Sequence, residues 1–327
     1  MVYYISRFLI RLALPIFLKR LLVQGHKKLH PKSPYLLASN HPDSFFDAVV
    51  IGSVLDQPIH TLTRGDVFRK PKVAFWLRQI NLIPVFRGSE GREHVKKHDI
   101  TTQESIESLK GGGTVVVFSE GICKNEWNLR SLGKGTARMA YEIWYGTDGI
   151  PDMRVVPTGL NYETFRGPGK RVVLNFGTEM SPNDLQTDPK EYEKWLREFN
   201  EILTERMNEG IFSVSDDLPL AEQKLAVRQY FDRECPAPDR SNGFLKAIGS
   251  IGRGLHAPLY RFFSAKAAKL TARSVFYDSV LFGFLVYLYP LLVVILSMVI
   301  GALAGWPAAL ATFIALPTLA WLGAQYR

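Results

Sequence analysis

Short apolar runs alternate with helical stretches from residue 35 to about 180. Runs at 35–39, 60–63, 82–85, 114–118, 153–158 and 171–176 have strand length and end in Gly, Pro or small polar residues. Between them, 44–54, 71–80, 92–110 and 134–145 carry apolar residues at helical spacing. Strands alternating with helices of this length predict an α/β sheet covered by helices. Gly111-Gly112-Gly113 ends one helix before the next strand begins, as a C-cap requires.

The pattern changes on either side of this region. Phe8, Leu9, Leu12, Leu14, Ile16, Phe17, Leu18, Leu21 and Leu22, set among Arg7, Arg11, Lys19 and Arg20, predict a basic helix lying in a membrane interface. Residues 188–210 form a charged amphipathic helix with Tyr192, Trp195, Leu196, Phe199, Ile202, Leu203 and Met207 on one face. From Ser213 to Asn242 the chain is mostly polar and contains Pro219, Pro236 and Pro238, which predicts a linker with a helical piece near 220–232. A basic amphipathic helix or pair follows at 244–275. Val280 to Ala304 and Pro307 to Ala324 are uncharged runs separated by the turn signal Gly305-Trp306-Pro307. About 20 apolar residues cross a bilayer core, so these runs predict a two-helix membrane hairpin with Pro290 kinking the first helix. The expected division is an interface helix over 1–24, an α/β domain over 25–212, a linker with basic helices over 213–278 and a transmembrane hairpin over 279–327.

Charge sharpens this picture. The 327 residues carry a net charge of +9. Residues 1–42 and 241–277 hold basic residues and no acid, and Ser279 to Tyr326 has no charged residue. Basic charge beside apolar segments suits an anionic membrane surface and argues against nucleic acid as a partner. The basic approach to the hairpin and Arg327 after it place both ends, and the α/β domain, on the cytoplasmic side. Deleting 279–327 is then expected to release part of the protein to the soluble fraction. Cys123 and Cys235 have no metal-ligand spacing, so neither a disulfide framework nor a zinc site is supported.

The candidate chemistry sits at strand ends. Tyr35-Leu36-Leu37-Ala38-Ser39 runs into Asn40-His41-Pro42-Asp43-Ser44-Phe45-Phe46-Asp47, with Asp43 or Ser44 placed to cap the helix that follows. His41 in the turn reaches Asp47 if Asp47 lies in the first helical turn with its side chain tilted back. The same residues also satisfy a bland reading, in which Asp47, three after Ser44, completes a near capping box. Arg87 ends the strand Leu82-Ile83-Pro84-Val85, as bidentate phosphate binding would want. Glu120 and Gly121 follow the strand Val115–Phe118, the first as a ligand contact and the second allowing close backbone approach. Val156-Pro157 lies in a further strand.

In order and type these segments resemble the glycerophospholipid acyltransferase family. Asn40-His41…Asp47 is similar to its Asn-His…Asp block, Ile83-Pro84-Val85-Phe86-Arg87 to its Ile-Pro-Val-x-Arg block, Phe118-Ser119-Glu120-Gly121 to Phe-Pro-Glu-Gly, and Val156-Pro157 to Val-Pro. Lys134-Gly135 with Ala137 and Ala140 resembles the helix start after the third block. Two departures stand out: five residues rather than four separate His from Asp, and Ser119-Glu120-Gly121-Ile122-Cys123 lacks the usual Pro and Thr-Arg. Lys124 or Arg130 would then supply the missing basic contact.

The resemblance implies a mixed sheet covered by helices and a membrane-bound O-acyltransferase of phospholipid biosynthesis. His41 would be general base and Asp47 its orienting partner. Asn40, Arg87, Glu120, Gly121 and Pro157 would bind substrate, and backbone N–H groups after the first strand would stabilise the oxyanion. Neither metal nor bound cofactor is implied. The acyl donor would be the thioester of CoA or acyl carrier protein, and the acceptor glycerol 3-phosphate or its 1-acyl form. Another lysolipid, an amino-acid lipid, or a non-catalytic lipid-binding scaffold are the alternatives.

Overall fold

The computed structural model describes residues 1–30, 33–85 and 93–326. Among them, seven strands form one sheet: β1 Leu18–Gln24, β2 Tyr35–Ser39, β3 Ile59–Arg64, β4 Leu82–Val85, β5 Thr114–Phe118, β6 Arg154–Tyr162 and β7 Lys170–Phe176. The strand order is β1-β7-β6-β2-β5-β3-β4. Every neighbouring pair is parallel except β6 with β7, so the sheet is mixed. β2 lies at its centre, with Ser39 in register with Phe118 of β5 on one side and Thr158 of β6 on the other. The C-terminal ends of these three strands therefore emerge together.

Helices cover both faces. On one face lie α1 Val2–Phe17, α2 Phe45–Val54 and the C-terminal helices α8 Gly243–Leu270 and α9 Tyr277–Ala304, meeting the sheet through Phe17, Phe46, Leu281, Phe282 and Tyr162. The other face is covered by α4 Glu93–Lys110, α5 Lys134–Tyr145 and α6 Tyr192–Asn208, where Trp144, Trp195, Phe199 and Leu203 are buried. α3 Pro71–Gln79 links β3 to β4, and α7 Leu220–Glu234 seats Val227 and Phe231 against Val173.

The N-terminal expectation needs correction in two respects. Only Val2–Phe17 is helical; Leu18–Gln24 is the edge strand β1, paired in parallel with β7. Apolar residues broken by Lys19 and Arg20 fit both periods, and the strand period wins because β7 offers an unpaired edge. α1 does leave Tyr4, Ile5, Phe8 and Leu12 exposed as an apolar stripe. Its arginines, however, turn inward. Arg7 donates to the Asp56 carbonyl, and Arg11 to the carbonyls of Ser53 and Leu55, at 2.8–3.0 Å. They satisfy carbonyls at the C-terminal end of α2 and complement its dipole, Arg7 from a buried position and Arg11 from an exposed one.

Among the described residues, α9 and α10 Trp306–Gln325 are the two helices long and apolar enough to cross a membrane, 28 and 20 residues against a need of about 20. A π turn at Phe284–Leu288 directly precedes Tyr289-Pro290, where the missing proline N–H would otherwise break the hydrogen-bond ladder. The expected boundary at 278/279 does not separate two bodies. Tyr277, Leu281, Phe282 and Val286, at the start of the hairpin, belong to the core of the α/β domain. The far end also returns to the domain: Gln325 donates to the carbonyls of Pro15 and Leu18. α8 packs along α10 with Gly252 so close to the Leu319 carbonyl that a Cβ would clash.

Candidate active site

Asn40 to Asp47 leave the central strand, turn and enter α2. The turn is strained: Ser44, the N-cap residue, has φ +58°, a conformation that costs a non-glycine residue about 1–3 kcal/mol. Ser44 does not cap with its side chain. Asp47 lies in the first helical turn, and its Oδ2 is 2.8 Å from His41 Nδ1. The Asp43 N–H donates to both Asp47 oxygens, at 3.1 and 2.9 Å. Thus Asp47, not Asp43, meets the imidazole, and Asp43 supplies a backbone anchor for the partner carboxylate.

The His41 ring stacks on Phe118, centroids 3.8 Å apart and planes within 12°. Its side chain is 18% exposed, and with Nδ1 on Asp47 its Nε2 has no partner among the described residues. An imidazole held at one nitrogen by a buried carboxylate and open at the other is the arrangement a general base needs. Burial pushes the Asp47 carboxyl up from its ordinary range, and the contact with His41 opposes that shift. Tyr162, fully buried beside Asp47, has its own phenol pushed well up by burial.

The segment after β5 braces this turn. Glu120 accepts the His41 N–H at 2.9 Å and also holds Arg130 through its backbone N–H and guanidinium, at 3.0 and 2.8 Å. The Cys123 thiol accepts the Ser44 N–H at 2.9 Å, and Asn125 donates to the Pro42 carbonyl at 2.6 Å. Burial, with Asp47 nearby, pushes the Cys123 thiol far up, which keeps it neutral. Ser119, where the family has Pro, accepts from Thr136 and so ties this loop to the start of α5.

The other expected site residues fall as follows. Asn40 is buried and clamps β6, its amide donating to the Leu160 carbonyl at 2.9 Å and accepting the Leu160 N–H at 2.8 Å. Pro157 is buried in β6, paired with Ala38. Both fix strand ends beside the site, and Glu120 braces it through His41 and Arg130. Gly121 has φ +73° and open space around the position of a Cβ. Arg87 lies outside the described residues. Lys124 pairs with Glu126 and Arg130 with Glu120, so both candidate basic contacts are engaged in ion pairs. Of the backbone N–H groups after β2, those of His41, Asp43, Ser44, Phe46 and Asp47 donate within the protein.

His41, Asp47 and Cys123 bring three metal-type ligand atoms within 4.8 Å of one another. In this structure the 2.8 Å His41–Asp47 contact is a direct hydrogen bond, and the Cys123 sulfur accepts the Ser44 N–H. No local pattern marks Lys170, whose ammonium lies fully buried against Asp43 and Asp278. Asp278 did carry a signal, as a lone acid between a basic stretch and an uncharged one.

Residues 20–161 match the acyltransferase family model. Among solved structures, the 1-acyl-sn-glycerophosphate (LPA) acyltransferase PlsC from Thermotoga maritima superimposes with a TM-score of 0.41 and 18% identity, covering 60% of this chain and 74% of that one. No curated protein matches the sequence significantly. All four sequence blocks fall within residues 20–161, the segment that is similar to the acyltransferase family.

Proposed function

We propose that the protein is a membrane-bound O-acyltransferase that moves a fatty acyl group from a thioester donor to a glycerol-phosphate acceptor, 1-acylglycerol 3-phosphate or glycerol 3-phosphate. The observation that carries this is the 2.8 Å His41–Asp47 contact with Nε2 left open. His41 Nε2 takes the proton of an acceptor hydroxyl while Asp47 holds the tautomer and favours the imidazolium. The hydroxyl oxygen bonds to the thioester carbonyl carbon, the carbon–sulfur bond breaks, and the proton passes from His41 to the departing thiolate. General-base catalysis of this kind contributes about 10²–10⁴-fold, with positioning adding to it. No metal or bound cofactor takes part; CoA or acyl carrier protein arrives as the donor.

The acceptor class rests on Arg87, in the Ile-Pro-Val-Phe-Arg block, as a bidentate partner for phosphate. The membrane setting rests on α9 and α10, whose two ends both return to the α/β domain, and on the exposed apolar stripe of α1. That geometry favours both hairpin ends on the side of the α/β domain, and the basic residues before the hairpin favour the cytoplasmic face for it.

The test supplies purified membranes with glycerol 3-phosphate, its 1-acyl form and other lysolipids, each with acyl-CoA and acyl carrier protein, and identifies products by mass spectrometry. Turnover in His41→Ala would exclude the base assignment, and an unchanged acceptor KM in Arg87→Lys would exclude the phosphate clamp. Rescue of the cellular role by His41→Ala would instead favour a non-catalytic scaffold.

A further inference from the structure

Lys170, at the start of β7, has no accessible surface, and neither do the two carboxylates it meets. Its ammonium lies 2.5 Å from Asp43 Oδ2, contacts Asp278 Oδ2, and sits over the rings of Tyr162 and Phe46 at 4.7 and 5.1 Å. A buried ammonium is stable only when paired and hydrogen-bonded in this way. Asp278 is in the first turn of the hairpin helix α9, where its other oxygen accepts the Gly167 N–H at 2.7 Å. The next residue, Ser279, accepts the Phe46 N–H at 3.1 Å. The hairpin thus holds the Asp43–Asp47 segment at two points, once directly and once through Lys170. From Asp43 the path continues through its N–H to Asp47 and from Asp47 to His41. Lys170 and Asp278 lie beyond the segment that matches the acyltransferase family, and the proton transfers assigned to His41 do not use them.

We infer that the first turn of the membrane hairpin completes the active site: Asp278 and Ser279, acting with Lys170, are positioning residues that hold Asp43 and Asp47 beneath His41. This rests on reading His41 and Asp47 as the reacting pair. Its consequence is that a chain whose hairpin is not seated lacks a correctly built dyad, so acyl transfer is coupled to docking of the hairpin on the α/β domain.

The experiment uses the full-length protein in membranes. Asp278→Asn keeps an oxygen for the Gly167 N–H but removes the charge facing Lys170. Misplacement of the dyad is expected to lower kcat about ten- to hundred-fold while acceptor KM changes little. The groups facing the dyad are Asp43, Tyr162 and Cys123, with Glu120, Arg130 and Lys170 behind them. Loss of one negative charge from this set should also move the acid limb of kcat/KM to lower pH, and Asp278→Glu should recover part of the rate. A purely structural role would change the amount of folded protein but not the acid limb. Wild-type kcat and an unmoved limb in Asp278→Asn overturn the inference. If that variant does not accumulate, Ser279→Ala is read in the same way, with a several-fold loss of kcat expected and wild-type kcat overturning the coupling. An inactive His41→Ala beside a fully active Asp278→Asn refutes the coupling alone, whereas an active His41→Ala refutes the dyad and the coupling together.

Discussion

His41 Nδ1 and Asp47 Oδ2 are 2.8 Å apart across five intervening residues, one more than the commonest family block carries. The extra residue is absorbed in the turn, where Ser44 takes φ +58° and the Asp43 N–H reaches back to both Asp47 oxygens. Asp47→Asn should therefore lower kcat by about 10²–10⁴-fold with little loss of folded protein. Asp43→Ala should lower kcat and also destabilise the fold by about 3–5 kcal/mol, because it removes one partner of buried Lys170. Thermal unfolding and steady-state kinetics on both variants separate the two roles; full activity in Asp47→Asn would exclude it as the partner of His41.

Acid should stop the enzyme without unfolding it through these groups. Activity needs ionised Asp47, whose carboxyl burial pushes up, so kcat/KM falls as pH falls through that raised range. Stability runs the other way. Burial raises the folded-state pKa of Asp43 and Asp47 above the unfolded value near 4, so the folded protein binds these protons more tightly. The contribution of Asp47 to stability is then largest at low pH and declines as pH rises through its raised value, whereas Asp43 is tied to Lys170 and stands apart from this expectation. Activity lost at about pH 5 should return on readjustment to neutrality; irreversible loss with a lowered Tm at that pH would contradict this.

The hairpin should not be separable from the α/β domain. Phe282 is buried against Phe17 and Phe46, with ring centroids 5.2 Å from each. Phe282→Ala is expected to cost about 3–5 kcal/mol, seen as a lowered Tm in detergent. Deleting 279–327 should give aggregated or degraded protein rather than the partial release to the soluble fraction expected from the sequence, since it strips apolar cover from the core. A soluble, active truncation would show that this packing is dispensable.

Cys123 lies close to the dyad but should act only as an acceptor for the Ser44 N–H. With its thiol pushed up by burial, it should react slowly with iodoacetamide at pH 8. Cys123→Ser, which keeps an acceptor, should remain active within about two-fold, because an exchanged neutral hydrogen bond alters stability by only about 1 kcal/mol. Chelation should leave turnover unchanged. Loss of activity on chelation, restored by a divalent cation, would instead point to a metal on His41, Asp47 and Cys123.

Six of the seven strands and the helices between them were legible from hydrophobic period alone, because each buries its own apolar residues against one sheet. The exception is β1, whose pairing with β7 is decided by an edge about 150 residues away in sequence. Among the site residues, His41 and Asp47 were legible because one turn brings them together. The roles of Asn40 and Glu120 were not, since their partners Leu160 and Arg130 come from other elements.

What the sequence determined by itself was local: strand ends carrying polar residues, the spacing of His41 and Asp47, and two apolar runs long enough for a membrane. Period, turn chemistry and length are properties of neighbouring residues, so they can be read without the fold. The tertiary structure decided which charge meets which. Only folding brings Lys170 and Asp278 to Asp43, and Arg7 and Arg11 to the end of α2. A buried charge has to find a partner wherever the packed elements place one, and no local pattern in the chain records that choice.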